Sequence, residues 1–241
     1  MRAFLFAAGL GTRLRPLTND RPKALVEVAG KTLLQHAIEY LQQQGITDIV
    51  LNIHHFGALV LAHLEAHHNF GCRIQISDER GELLETGGAL AKAAPLLEGS
   101  DPIVLYNVDV LTNLNIQTML AQHQSQGALA TLAIRQRESS RYLLFDEQQR
   151  LSGWQNTITK EKRVERLVEN LQPYAFSGIH IIEPTLLSYL PQQQGAFSII
   201  PAYLDLAAKQ PLIGYPHDQD YWFDVGKPER LEAATHFLNS L

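Results

Sequence analysis

Short apolar runs alternate with segments of helical period through the first half of the chain. Ala3 to Ala7, Asp48 to Ile53, Cys72 to Ser77 and Ile103 to Asn107 are rich in branched and aromatic residues with little polar alternation. That is how strands covered on both faces read. Between them, Leu33, Leu34, Ala37, Ile38 and Leu41 fall on one face of a helix that Thr32 can cap and Gly45 can stop. Further helices are expected over Phe56 to His67 and from the Gly87-Gly88 pair through Leu97. This rhythm builds βαβ units, so the expected fold class is α/β: a Rossmann-like mixed sheet, mainly parallel, flanked by helices.

From about Leu129 the texture changes. ATLAIR, YLLFD and LSGWQN are short segments between charged or Gln-rich turns, and they predict a smaller, partly antiparallel β region. AFSGIHII reads as a core strand, Ser198 to Lys209 as a helix, and YWFDVG as a last strand running into a turn. Pro228 to Leu238 reads as the closing helix, with proline in its first turn. Thr159 to Asn170, dense in Lys, Arg and Glu, is expected to be a solvated loop or short exposed helix rather than a phosphate clamp. The whole chain, 1-241, is taken as one domain with a first part to about 127 and a second from about 128.

Composition narrows the classes. With 241 residues, 45% hydrophobic and 19% charged, the chain can bury a substantial core. A net charge of −5 and a pI near 6.0 exclude a general nucleic-acid or anionic-membrane binder, because such proteins gather excess Lys and Arg. The lone cysteine, Cys72, has no internal disulfide partner and reads as a buried core thiol. The opening MRAFLFAAG is too short for a membrane span and reads as a core strand, so the cytoplasm is the expected compartment. The histidine pairs His54-His55 and His67-His68 are adjacent and point their members apart, which is unsuited to a shared metal.

Candidate chemistry begins directly after the first strand, at Gly9-Leu10-Gly11-Thr12-Arg13 and then Arg21-Pro22-Lys23. Glycines let backbone N–H groups approach a ligand closely, so successive amides can cradle phosphate oxygens. Arg13 adds a planar charged fork and Lys23 a compact charge. The P-loop spacing is absent, and a dinucleotide fingerprint would need glycine where Leu14 stands. Two aspartates follow: Asp109 at the end of an apolar strand, and Asp224 in WFDVG. Taken alone, Asp109 also fits a turn and Asp224 a helix cap.

GxGTRLxPLTxxxPK after an N-terminal strand resembles the sugar-1-phosphate nucleotidyltransferases, also called nucleotide-sugar pyrophosphorylases. The resemblance implies a GT-A-like nucleotidyltransferase fold with a nucleotide-binding part first and a sugar-binding part after it. It implies transfer of a nucleoside monophosphate from an NTP to a sugar 1-phosphate, releasing pyrophosphate, with Mg²⁺ on Asp109 and Asp224. Arg13, Lys23 and Asp109 would be catalytic, and Ala8, Gly9, Gly11, Thr12, Arg13 and Lys23 would hold the triphosphate. Glu85-Thr86-Gly87-Gly88-Ala89 resembles the family's base-binding turn, which brings in Glu85 and Gly87. Glu79, Glu82 or Glu85 could accept an N–H of uracil or guanine, and a helix capped by Thr86 fits the same residues.

On the acceptor side, Asn107 and the Gly178 of FSGI resemble sugar-pocket positions, with Trp154 and Asn156 as further candidate contacts and an ordinary core tryptophan as the alternative. Gly195-Ala196-Phe197 resembles a subgroup acting on N-acetylmuramate 1-phosphate, although Arg141-Tyr142-Leu143-Leu144 lacks the aspartate expected there. The base, the sugar and any homo-oligomer stay open. Two other readings remain: cytidylyl transfer to a non-sugar phosphate such as phosphocholine, and a catalytically silent regulatory module. The chain ends soon after the last motif, so the expectation is a transferase without an acyltransferase-like or β-helical extension.

Overall fold

The computed structural model describes residues 1–99, 101–191 and 195–241. Its first half runs β1 (Arg2–Phe6), β2 (Glu27–Val28), β3 (Lys31–Thr32), α1 (Leu33–Gln43), β4 (Asp48–Ile53), α2 (Gly57–Ala66), β5 (Arg73–Asp78) and α3 (Glu85–Ala93). Then come β6 (Ile103–Asn107), β7 (Val110–Thr112), α4 (Ile116–Ser125), β8 (Ala130–Arg135), β9 (Arg141–Phe145), β10 (Leu151–Asn156) and β11 (Lys162–Val164). The chain closes with β12 (Gln172–Ile182), α5 (Ile199–Ala207), β13 (Leu212–Pro216), β14 (Trp222–Asp224) and α6 (Pro228–Leu238).

Four strands in the order β5-β4-β1-β6 are parallel. β12 adds antiparallel to β6, and from it the sheet continues to β8 and β13 on one branch and to β9, β10 and β11 on the other. Successive residues of β1 feed opposite faces: Ala3 and Leu5 pack with α1, α2 and α4, while Phe4 packs with α3 and α5. That double burial is why these strands carry unbroken apolar runs. The chain leaves β1 toward β4 on one side and later returns to β6 on the other. The carboxyl ends of β1 and β6 therefore flank the point where strand order reverses, the place where open α/β sheets take ligands.

β12 is continuous but changes partners along its length. Gln172 to Tyr174 pair with β9, whereas Ile179 to Ile182 pair with β6, and the register shifts between Phe176 and His180. Gly178, at φ +79°, takes the bend.

Two local expectations need correction. Thr159 to Asn170 is not wholly loop or helix, because Lys162–Val164 is an edge strand on β10. Its two arginines are paired: Arg163 meets Asp205 at 2.5 Å and Arg166 meets Asp146 at 2.8 Å. The helix after Gly87-Gly88 starts earlier, at Glu85, and its α-helical part ends at Ala93, where Ala94–Leu96 tightens into a 3-10 turn containing Pro95. Cys72 is buried, and burial pushes its thiol up, as for a core thiol. No helix among the described residues is long and apolar enough to cross a membrane.

Candidate active site

A cleft of about 510 Å³ opens at the carboxyl ends of β1 and β6 and is lined by the whole Ala7 to Arg13 loop, with Lys23, Asn52, Glu79, Glu85, Asn107 and Asp109. The loop is rigidly seated. Thr18 Oγ1 and the Leu14 N–H both donate to the Gly11 carbonyl at 2.9 Å, and Gly11 sits at φ +64°. A Cβ at Gly11 would stand 3.0 Å from both Lys23 Cβ and Thr18 Cγ2. The N–H groups of Gly9, Leu10 and Gly11 meet no acceptor among the described residues, which leaves a row of donors suited to phosphate oxygens. The N–H groups of Ala7 and Ala8 are spent on Asn52 Oδ1, at 2.6 and 3.2 Å, so Ala8 contributes cleft wall rather than a free amide.

Asp109 and Asp224 come together through the β7–β14 ribbon. Asp224 is in register with Val110, and the Val225 N–H donates to the Asp109 carbonyl at 2.8 Å. Lys23, 8% exposed, pairs with Asp109 Oδ2. Arg13 approaches from the loop: a Cβ at Gly226 would stand 2.6 Å from Arg13 Nη2 and 2.8 Å from Asp224 Oδ1. Burial raises the Asp224 carboxyl above its ordinary value and the Asp109 charge adds to this, against the pull of Lys23, Arg13 and Arg137. Asp224 Oδ1 is buried with no hydrogen-bond partner. Two carboxylates, one with an orphaned oxygen, in a nest of cations form an acidic pair awaiting a ligand.

The opposite end of the cleft holds a buried acid. Asn52 accepts from the loop amides through Oδ1, so its Nδ2 faces Glu79 and donates to Oε1 at 2.9 Å. Glu79 is 1% exposed, its carboxyl is pushed up by burial, and Oε2 has no partner. Glu85 lines the same cleft with an exposed side chain at φ +56°. Glu82 is exposed and does not line the cleft, since its Oε1 lies 2.7 Å from a Cβ built on Gly195.

The glycine pair of the expected base-binding turn does something else. The N–H groups of Gly87 and Gly88 donate to the Phe197 carbonyl at 2.8 and 3.2 Å. A Cβ on Gly87 would stand 2.3 Å from the Phe197 ring. Gly87 is thus a docking surface for the segment before α5, and its amide is already used. Thr86 does not cap its own helix; its Oγ1 accepts from the Ile199 N–H at 3.0 Å, at the start of α5.

Comparison with known proteins identifies the family. The nucleotidyl transferase family model matches residues 2–240. The chain belongs to the nucleotidyl transferase family. It is 36% identical over 240 residues to the N-acetylmuramate alpha-1-phosphate uridylyltransferase of Caulobacter vibrioides, covering 96% of this chain and 94% of that one. It is 31% identical to the mannose-1-phosphate guanylyltransferase catalytic subunit beta of Dictyostelium discoideum, covering all of this chain and 66% of that one. Its fold matches a putative glucose-1-phosphate thymidylyltransferase from Bacillus anthracis at TM-score 0.80 and 21% identity, covering 100% and 96% of the two chains. HddC from Yersinia pseudotuberculosis complexed with GMP-PN matches at TM-score 0.77 and 22% identity, covering 98% and 99%.

On the far side of this transferase's aspartates, Asn107 lines the cleft, and Gly178 lies behind it: a Cβ there would stand 2.7 Å from Asn107 Nδ2. Gly178 therefore makes room for Asn107 instead of lining the cleft itself. Trp154 lines a neighbouring groove with Arg141, Lys162 and Ile200, which meets the main cleft at Ser198. Asn156 is not on either wall; its Oδ1 accepts from the N–H groups of Ile158 and Thr159 and holds the β10–β11 turn. Sequence reasoning missed Asn52 as the residue that aims Glu79, although a polar residue near the carboxyl end of an apolar strand was the available signal. It also missed Arg137, which belongs to no motif.

Proposed function

We propose that this transferase moves UMP from UTP to a sugar 1-phosphate, with N-acetylmuramate 1-phosphate as the leading acceptor, giving a UDP-sugar and pyrophosphate. One observation carries the reading: free loop amides, Arg13, Lys23 and Asp109 line one cleft, and the β7–β14 ribbon holds Asp224 beside Asp109 just behind its wall. An oxygen of the acceptor phosphate attacks the α-phosphorus of UTP, and the bond from that phosphorus to the bridging oxygen of the β-phosphate breaks. The bonding pair leaves with pyrophosphate. No base is required, since a phosphate monoester already presents an anionic oxygen near neutral pH, so the protein positions and offsets charge.

The loop amides and Arg13 hold the triphosphate and stabilise the departing pyrophosphate. Lys23, anchored at Asp109, offsets charge on the two reacting phosphates. The acidic pair fits Mg²⁺: Asp224 has an unbonded buried oxygen, and no cluster of three or more protein ligands exists among the described residues to favour a fully protein-bound ion. Held by Asp109 and Asp224, Mg²⁺ would supply charge neutralisation at the α-phosphate.

Two features support uracil. The Caulobacter relative is a uridylyltransferase by name. Glu79 has one oxygen on Asn52 and one free, which matches the single ring N–H of uracil better than the adjacent pair of donors on guanine. A pyrophosphate-release screen crossing the four NTPs with N-acetylmuramate, N-acetylglucosamine, mannose, glucose and heptose 1-phosphates tests the reading. Release is expected with UTP and a sugar 1-phosphate in the presence of Mg²⁺. With phosphocholine added as a sixth acceptor, release only with CTP and phosphocholine, or none across the panel, would replace it with the cytidylyl or the silent alternative.

A further inference from the structure

Arg137, two residues beyond β8, is the arginine that the foregoing account leaves without a task. Its guanidinium lies over the Trp222 ring at 4.5 Å from the centroid, and that indole is itself fixed by donating to the Ser177 carbonyl at 2.9 Å. Nη2 donates to the Phe176 carbonyl at 3.0 Å and Nη1 to the Glu138 carbonyl at 3.2 Å, while Nε is buried with no partner. No carboxylate forms an ion pair with it among the described residues. Arg163 and Arg166, by contrast, each meet an acid. Arg135, beside the same ring, gives its donors to the Asp218 and Asp220 carbonyls.

Arg137 feels the Asp224 charge but forms no direct ion pair among the described residues, so a half-buried guanidinium beside a second arginine is better offset when an anion arrives. The position of Arg137 says which one. It is tethered to Phe176, next to the Ser177-Gly178 bend that seats Asn107, and it acts electrostatically on Asp224. Arg13 and Lys23 serve the loop side, where the triphosphate lies. A second phosphate brought against Asp109 and Asp224 from the β12 side would otherwise meet two negative side chains. We propose that Arg137 binds the phosphate of the acceptor, using its stacking on Trp222 and its bond to Phe176 to hold the attacking oxygen beside Asp224. The assignment rests on the nucleotidyl-transfer reading given above.

The test is steady-state kinetics with UTP, Mg²⁺ and N-acetylmuramate 1-phosphate on wild type, Arg137→Met and Arg137→Lys, with UTP binding measured separately by calorimetry. Methionine keeps the apolar contact with Trp222, and lysine keeps a charge without the fork. Loss of charge-assisted bonds to phosphate should raise the acceptor KM by about tenfold or more in Arg137→Met, with a smaller rise in Arg137→Lys. UTP affinity and tryptophan fluorescence should stay close to wild type in both. An unchanged acceptor KM, or equal losses for UTP and acceptor with altered fluorescence, would overturn the assignment and leave Arg137 as a support for Trp222. If wild type transfers to N-acetylglucosamine or mannose 1-phosphate instead, the same comparison is made with that acceptor. Wild type silent with all three would overturn the transfer reading, and this assignment with it.

Discussion

The Val225 N–H donates to the Asp109 carbonyl at 2.8 Å, so the backbone that carries Asp224 is fastened to the backbone that carries Asp109. The β7–β14 ribbon sets this contact through the register Asp224 to Val110. Two carboxylates far apart in sequence are thereby held together before any ligand arrives, which is the preorganisation that charge-stabilising catalysis needs.

The first prediction concerns that pair. Asp109→Asn and Asp224→Asn keep shape and remove charge, so each should lower kcat/KM by about 10² or more while the protein stays folded. Pyrophosphate-release kinetics with circular dichroism on the same samples check this. Turnover close to wild type in either variant would remove that aspartate from the chemistry.

Gly226 tests the packing around Arg13. A methyl group there would sit 2.6 Å from Arg13 Nη2 and 2.8 Å from Asp224 Oδ1, closer than such atoms approach. Gly226→Ala should therefore displace the guanidinium and lower kcat by about tenfold or more, with little change in melting temperature because the cleft side is open. Normal kcat would show that Arg13 adapts freely.

Base choice follows from the Asn52–Glu79 contact. In Glu79→Gln, Asn52 still needs an acceptor, so the amide carbonyl should face Asn52 and the NH₂ should face the base. A donor now meets the ring N–H of uracil, while the unprotonated ring nitrogen of cytosine becomes a match. The ratio of kcat/KM for UTP over CTP should fall by about tenfold or more. An unchanged ratio would exclude Glu79 as the base reader.

Much of this was readable in the chain. β4, β6 and β8 begin and end where the apolar runs put them, because burial on both faces keeps most of their positions apolar, while β10 and α6 are bounded by the flanking turns and by Pro228. The phosphate loop was readable because its glycines and charges sit in one contiguous stretch. Glu79 was one of three acids that composition could not separate; what singles it out is Asn52, reached across β4 and β5. Gly87 misled for a related reason: a glycine that accommodates Phe197 and one that accommodates a base look alike until the partner is known. Arg137 carried no signal, since its role depends on Trp222 and Phe176 arriving from distant strands.

Acid stability gives a prediction independent of catalysis. His180, 1% exposed, is held by burial down to about 3, and His217, 4% exposed, to about 4, both below the ordinary 6.5. Since the unfolded chain binds these protons more readily, the stability they contribute is complete above pH 6.5 and is lost as pH falls toward 3 for His180 and toward 4 for His217. Each should cost about 1.4 kcal/mol per pH unit between 6.5 and its folded value, with no further loss below it. Urea unfolding at pH 7.5 and 5.5 should show this loss, and His217→Gln should reduce it by about 1.4 kcal/mol. Parallel behaviour of variant and wild type would contradict the assignment to His217.

The most direct test of the account is anomalous diffraction from crystals grown with UTP and Mn²⁺ in place of Mg²⁺. A manganese peak bonded to carboxylate oxygens of both Asp109 and Asp224 and to the UTP α-phosphate is expected, with the triphosphate against the Gly9 to Arg13 loop. A metal held by neither aspartate, or a triphosphate bound away from that loop, would contradict it.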